Sequence, residues 1–254
     1  MGTSRIGDNM EFRTLRAEEI DCRISQIDKN WCTLLLYKDA RVDMNVLDET
    51  VGCMNWKKSY LRDNANCVVS IWNNDIKEWV SKEDTGTESF SEAEKGLASD
   101  SFKRACFNWG IGRELYTAPS ILIFPRPDMK RKTKEKDANG DPIYEPEFFE
   151  KGNGKYDTKT RFWVEIIDYD NDRNIKDLII RDQKNNVRFS QTTKELDDKL
   201  LKLDTLFNET ITKYEGKKNM DRKEILEDLF KIKEDTQVTY KQKKQFIEMI
   251  RENK

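Results

Sequence analysis

The sequence contains no histidine. The chain therefore cannot form a Ser-His or Cys-His catalytic pair, an imidazole general base or a histidine-ligated metal site. Its five cysteines are widely spaced and never form a CxxC pair, which argues against a zinc site or a disulfide framework and for reduced thiols. These two features exclude most enzyme classes that depend on imidazole or metal-bound thiolate.

Long apolar runs are also missing. No stretch is apolar enough to cross a bilayer, and the first twenty residues (MGTSRIGDNMEFRTLRAEEI) lack the apolar core of a signal peptide. We therefore expect an intracellular protein that does not bind membranes, with residues 1–10 forming a flexible N-terminus.

Basic residues are slightly outnumbered by acidic ones, 46 to 48, so the formal net charge is -2. This balance is not typical of nucleic-acid-binding domains, which are usually basic. The charge is however segregated: RPDMKRKTKEK at 126–136 has six basic and two acidic residues, whereas 137–150 has five acids and no base. A basic face can therefore coexist with an acidic total.

The tryptophans indicate where the core lies, since all six precede the last ninety or so residues. We predict a compact core over residues 11–190, with a basic loop at about 126–160 that overlaps the interval Pro119–Pro146, where all five prolines fall. From Thr193 onward apolar residues recur at helical spacing, which predicts a helical tail over residues 191–254.

Local patterns predict an α+β fold: an antiparallel β-meander packed on helices, followed by the helical tail. The predicted helices are Phe12–Ile27, a helix capped by Asp43 and ending at Val51, and a helix that starts with the capping box Ser91/Glu94. The predicted strands are Trp31–Tyr37, the three meander strands Asn55–Arg62, Cys67–Asn73 and Lys77–Thr85, and two later strands at Arg161–Asp168 and Asn186–Ser190. The run DYDNDRNIKDLI at 168–179 alternates acids like a calcium loop, but its sixth and twelfth residues do not fit, so we predict a hairpin turn.

Lys103 and Arg104 are the leading candidate site residues. They lie on the third helix beside an apolar stripe of Ala98, Phe102, Ala105, Cys106 and Trp109, which would pack on the meander. Two adjacent cations could hold successive phosphates, although from spacing alone a solvated face with an Asp100–Arg104 pair is the simpler explanation. Lys58 and Arg62 alternate onto one side of a strand, where they either extend a basic groove or protect a sheet edge.

Two segments carry a family resemblance. KGLASDSFKRACFNWGIGRELY and the upstream LDETVGCMNW are similar to the Rad-fifty-two family of single-strand annealing proteins, most closely its phage members of the Sak type, over roughly residues 15–125. The resemblance implies rings or arcs of identical subunits with single-stranded DNA in an outer basic groove. It places Lys103 and Arg104 on the family's DNA-contacting pair, and Arg41 near a further basic contact.

The resemblance also implies a function. Such proteins pair complementary strands in phage recombination without ATP hydrolysis, so we predict a binding protein rather than an enzyme, with no cofactor, in the cytoplasm of a bacterial host. Single-stranded DNA, its complementary strand and other copies of the chain are the expected partners, and a single-strand binding protein or an exonuclease are further candidates. Two alternatives stay open: a metal-dependent recombination nuclease, and an adaptor that recruits replication proteins through the tail.

Overall fold

A computed structural model describes residues 10–87 and 93–252, without the side chains of residues 93–95. The predicted flexible segment at 1–10 and the Ser91/Glu94 capping box thus lie almost entirely outside the described residues. Within them the chain is α+β with antiparallel sheets and a C-terminal helix, as predicted.

The described residues form thirteen strands and five α-helices. The strands are β1 (Asp21–Ile27), β2 (Cys32–Tyr37), β3 (Trp56–Leu61), β4 (Asn66–Asn73), β5 (Glu78–Thr85), β6 (Ile121–Ile123), β7 (Lys130–Lys136), β8 (Pro142–Pro146), β9 (Phe148–Gly152), β10 (Lys155–Thr158), β11 (Phe162–Tyr169), β12 (Ile175–Asp182) and β13 (Val187–Gln191). The helices are α1 (Ala40–Val51), α2 (Ala93–Trp109), α3 (Lys194–Lys218), α4 (Arg222–Ile225) and α5 (Tyr240–Glu252).

The chain divides into two compact units. The first, called here the meander unit, comprises Tyr37–Thr117 and the residues up to Asp21. The second, called the sheet unit, comprises Cys22–Leu36 and Ala118–Lys254. The predicted domain bounds at residues 10 and 190 stay predictions.

In the meander unit, β3, β4 and β5 pair antiparallel in that order, which confirms the predicted meander. Val69 and Ile71 of β4 are buried on the face that meets α2, together with Phe102 and Cys106 of that helix. Gly86 follows β5 and lies so close to α2 that a Cβ there would be 2.5 Å from the Ser101 backbone nitrogen. The meander and α2 therefore form one packed layer pair.

Three local predictions in this region are wrong. Residues 12–27 form a short 3-10 helix at Ala17–Glu19 and then β1, because DCRIS alternates exposed and half-buried positions and pairs within a sheet. Asp39, not Asp43, caps α1 by accepting a hydrogen bond from the Arg41 N–H, so Asp43 lies inside the helix. Arg62 follows the end of β3 with a φ of 52°, so strand alternation does not apply to it.

The sheet unit contains a six-stranded sheet in the order β13-β12-β11-β1-β2-β6. Its end strands also approach each other, and the Arg188 guanidinium on β13 donates to the Phe124 carbonyl beyond β6 at 2.7 Å. The β11–β12 turn is the predicted hairpin turn: Asp170 accepts hydrogen bonds from the backbone N–H groups of Asp172 and Asn174.

The basic loop predicted at 126–160 is instead two antiparallel hairpins, β7–β8 and β9–β10. No apolar alternation marks β7 in the sequence, because its half-buried positions, Arg131 and Thr133, are polar like its outward lysines. The predicted tail is helical, and its apolar side chains form a cluster around Phe207, Ile211 and Phe246. Leu229 in the same segment is 38% exposed and is not part of this buried cluster.

Candidate nucleic-acid interface

Helix α2 holds the two leading candidate residues on a fixed base. Phe102, Ala105 and Cys106 are buried, as the apolar stripe predicted. Trp109 is only half-buried, and its indole N–H donates to the Val69 carbonyl of β4 at 3.1 Å. The helix is thus anchored by its buried stripe and by one directional bond, while its other faces stay accessible.

Lys103 and Arg104 have different neighbours, because successive helical residues point about 100° apart. The Lys103 ammonium lies 3.9 Å from Asp100 on its own helix, and its charge helps to lower the pKa of Asp39 near the start of α1. The Arg104 guanidinium lies 3.4 Å from Asp84 on β5. Each cation therefore has one carboxylate neighbour and is partly open to solvent: the side chain of Lys103 is 25% exposed and that of Arg104 is 44% exposed.

Arg41 affects the same carboxyl group as Lys103: the charges of both residues lower the pKa of Asp39. The Arg41 guanidinium bonds Asp39 at 3.1 Å, and this bond is the main reason that the pKa of Asp39 is lowered. Arg41 is highly exposed on the first turn of α1. Arg41 thus pairs with Asp39 before α1, whereas Arg104 faces Asp84 on β5.

Lys58 and Arg62 do not join that group. The Lys58 ammonium lies 4.3 Å from the centre of the Phe102 ring, on the face of β3 that meets α2. Such a contact holds the lysine stem against apolar surface and leaves its charge at the rim of the layer. Arg62 is exposed in the β3–β4 turn. Since β3 is an edge strand of the meander, protection of that edge remains an adequate explanation for Lys58.

Two further cations lie at the C-terminal end of α2, and sequence reasoning missed both. The Lys82 ammonium donates to the Asn108 carbonyl at 2.8 Å and lies over the Trp109 ring. Arg113 donates to the carbonyls of Phe107 and Asn108. Both neutralise the negative end of the helix dipole. Alternation along β5 from Val80 could have placed Lys82 on the face that meets the helix.

A buried ion pair underlies this surface. The Lys38 ammonium donates to Asp43 Oδ1, and both side chains are almost fully buried. The lysine also lies 4.6 Å from the centre of the Phe107 ring. Burial raises the pKa of Asp43 to about 6, and the nearby Lys38 charge limits the rise. Gly112 has a φ of +78°, and a Cβ there would overlap the Lys38 side chain. No sequence pattern marks this pair.

Within residues 10–87 and 93–252, no group of three or more Cys, Asp or Glu side chains is arranged to hold a metal ion. Among the same residues, no helix combines the length and apolar character that a membrane span requires.

Comparison of the chain with models of known protein families and with curated protein sequences finds no match.

Proposed function

We propose that this chain binds single-stranded DNA and promotes the pairing of complementary strands in phage recombination, as an oligomer and without ATP hydrolysis. The observation that carries the proposal is the three-stranded meander packed on α2, with Lys103 and Arg104 on the accessible part of that helix. This is the arrangement that the Rad-fifty-two resemblance implies.

The electrostatics of α2 are compatible with phosphate binding. Exposed ion pairs such as Arg104–Asp84 are worth only about 0–1 kcal/mol, so a phosphate can take over the cation at little cost. The binding of several phosphates along a strand, repeated over the subunits of an oligomer, multiplies this modest attraction. An acidic chain can therefore bind DNA through a few well-placed cations.

An exposed apolar surface on the sheet unit supports self-association. Leu35, Leu122 and Phe124 are 57%, 39% and 61% exposed, and Leu122 lies opposite Thr33 in the β2–β6 pair, so it shares a face with Leu35. Neighbouring exposed apolar side chains of this size are typical of protein contacts. We assign this surface to contact with a second copy of the chain.

The test is annealing of two complementary fluorescent oligonucleotides without ATP, together with the salt dependence of single-strand binding. Lys103→Ala with Arg104→Ala should slow annealing and reduce the slope of log affinity against log salt by about 0.7 for each lost phosphate contact. Asp84→Asn should act in the opposite direction: it releases Arg104 and should strengthen binding about 1.5- to 5-fold, the value of an exposed ion pair.

Lys213→Ala with Lys217→Ala is the matched control, because both lysines are exposed on α3. This variant should retain the annealing rate and salt slope of the parent. A parent protein that binds no single-stranded DNA would refute the proposal and favour the adaptor. Magnesium-dependent shortening of the oligonucleotide would instead favour the nuclease.

A further inference from the structure

The β7–β8 hairpin of the sheet unit has two faces of different character. Arg131 and Glu145 lie opposite each other in the register and form an ion pair of 2.9 Å. The Arg131 guanidinium also stacks 4.0 Å from the centre of the buried Phe149 ring on β9. This inner face holds the hairpin against the rest of the unit, so the opposite face points to solvent.

The outer face is cationic. Because side chains alternate along a strand, Lys130 and Lys132 lie on the opposite side of β7 from Arg131. Both are exposed, and neither has a carboxylate oxygen within 4.0 Å among the residues that the structure describes. Lys103, Arg104 and Arg41 each have such a partner. The two hairpin lysines therefore attract anions without first giving up an ion pair.

An exposed aromatic ring lies directly beside these lysines. Tyr144 on β8 is the register partner of Lys132 and is 57% exposed. Next to it is an open cleft of about 380 Å³, lined by Tyr144, Lys130, Arg126 and three prolines at 125, 127 and 146. The cleft thus combines apolar walls with Lys130, whereas Arg126 is paired with Asp128 at 2.9 Å.

Glu147 is the one acidic residue that lines this cleft among the described residues, and its charge is compensated by an arginine. Glu147 accepts hydrogen bonds from the Arg188 guanidinium at 2.7 and 3.0 Å and from the Arg126 backbone N–H at 2.7 Å. A third donor is the Thr160 hydroxyl. The negative charge of Glu147 is therefore compensated within the protein and does not repel an anion at the mouth of the cleft.

We infer that the outer face of the β7–β8 hairpin binds single-stranded DNA, with a base stacked on Tyr144 and flanking phosphates on Lys130 and Lys132. An exposed ring beside uncompensated cations is what a flexible strand of alternating phosphates and bases requires. This contact belongs to the sheet unit, whereas α2 belongs to the meander unit. The inference depends on the proposed function for the identity of its ligand.

Protection of a sheet edge would explain the lysines but not the ring. Lysines on an exposed strand prevent pairing with other chains. That role does not require an exposed tyrosine opposite Lys132, nor a proline-lined cleft beside it. Substitution of Tyr144 therefore separates the two explanations, because edge protection predicts no effect on DNA binding.

The experiment measures binding of a fluorescein-labelled oligothymidylate by anisotropy over a range of salt concentrations, for the full chain and three hairpin variants. Lys130→Gln with Lys132→Gln should lower the salt slope by about 1.4 and the affinity at 0.1 M salt by about 25-fold. Tyr144→Ala should lower the affinity about 5- to 150-fold with an unchanged salt slope, whereas Tyr144→Phe should bind like the parent. Lys213→Gln with Lys217→Gln on α3 is the charge-matched control and should also bind like the parent.

A second readout locates the contact directly. Irradiation of the parent with an oligonucleotide that carries 5-iododeoxyuridine should give an adduct on Tyr144, identified by mass spectrometry of the tryptic peptides. Circular dichroism checks that every variant is folded. Parental affinity in both the Tyr144→Ala and the double lysine variants would overturn the inference and leave the proposed function intact. A parent that binds no oligothymidylate would overturn the proposed function and this inference together.

Discussion

At the scale of single residues, the Lys38–Asp43 pair is the least expected feature of the meander unit. Both side chains are buried, and Asp43 Oδ2 has no hydrogen-bond partner among the described residues. A buried pair of this kind adds little net stability, because the cost of removing two charges from water offsets their attraction. Removal of one partner is however expensive, since the other charge is then left alone in the core.

We therefore predict that Lys38→Met, which leaves the ionised Asp43 without its partner, lowers the free energy of unfolding at pH 7 by about 3–5 kcal/mol. Asp43→Asn instead replaces the carboxyl group with a neutral group of similar size, so the stability of the parent relative to this variant should depend on pH in a defined direction. Burial raises the pKa of Asp43 from an unfolded value near 3.8 to about 6, so the folded protein binds this proton more tightly than the unfolded chain. That contribution is fully present below about pH 4 and is lost as the pH rises through about 6.

Urea unfolding of the parent and of Asp43→Asn between pH 4 and pH 7 measures this effect. The stability advantage of the parent should shrink by about 1–3 kcal/mol as the pH rises across this range. An advantage that grows with pH would show that Asp43 is an ordinary ionised partner of Lys38. Lys38→Met with Asp43→Leu should recover most of the stability, because apolar residues of similar size replace both charges.

At the scale of secondary-structure elements, the close packing of β5 against α2 depends on Gly86. A Cβ on this residue would lie 2.5 Å from the Ser101 nitrogen and 2.7 Å from the Leu97 carbonyl oxygen, both of them backbone atoms of α2. Neither atom can rotate away, so the helix itself would have to shift from the meander.

Gly86→Ala should therefore destabilise the protein by about 1–3 kcal/mol, as overpacking of a close contact does. Thermal unfolding followed by circular dichroism measures the change. Gly216→Ala is the matched control: Gly216 lies within α3, and a Cβ there would contact nothing within 4 Å. It should stabilise the protein by about 0.5–1 kcal/mol. Equal effects of the two substitutions would contradict the close approach at Gly86.

The same elements show what the sequence could predict. The meander, α1 and α2 were predictable because their apolar residues recur at clear periods of two or 3.6 and their ends carry turn residues or glycine. Strand β1 was not predictable, because the spacing of Ile20, Ile24 and Ile27 fits a helix. Its strand conformation comes from pairing with β11 and β2 in the six-stranded sheet. Hairpin β7–β8 was missed because the half-buried residues of β7, Arg131 and Thr133, are polar, so the strand has no apolar face.

The sequence nominates candidate site residues but does not predict their contacts. Lys103 and Arg104 stand out as adjacent cations beside an apolar stripe, but it is the family resemblance, not the spacing, that favours them as DNA contacts over a solvated helix face. The pairing of Lys103 with Asp100 follows from helical spacing, because the two residues are three positions apart on α2. The pairing of Arg104 with Asp84 depends on how α2 packs on β5. The direction of Lys58 towards Phe102 likewise follows from the register of β3 against β4, which local sequence does not encode.

At the scale of the whole molecule, the proposed function requires many weak contacts to act together. The cations on α2 are half-compensated, and the hairpin offers a few more, so a single subunit should bind single-stranded DNA weakly. Linked binding sites raise the overall affinity without any new contact, provided that one strand reaches several of them. Self-association through the apolar surface of Leu35, Leu122 and Phe124 would supply such linkage.

Leu122→Glu with Phe124→Glu should therefore lower the molar mass measured by light scattering after size-exclusion chromatography, because buried carboxylates at a contact are costly. The variant should lose affinity for a long oligonucleotide while it binds a short one like the parent, since only the long strand spans several subunits. Leu201→Glu provides the control: Leu201 is 67% exposed on α3, outside this surface, and its variant should keep the parental mass. A double variant of unchanged mass would show that copies of the chain associate through a different surface.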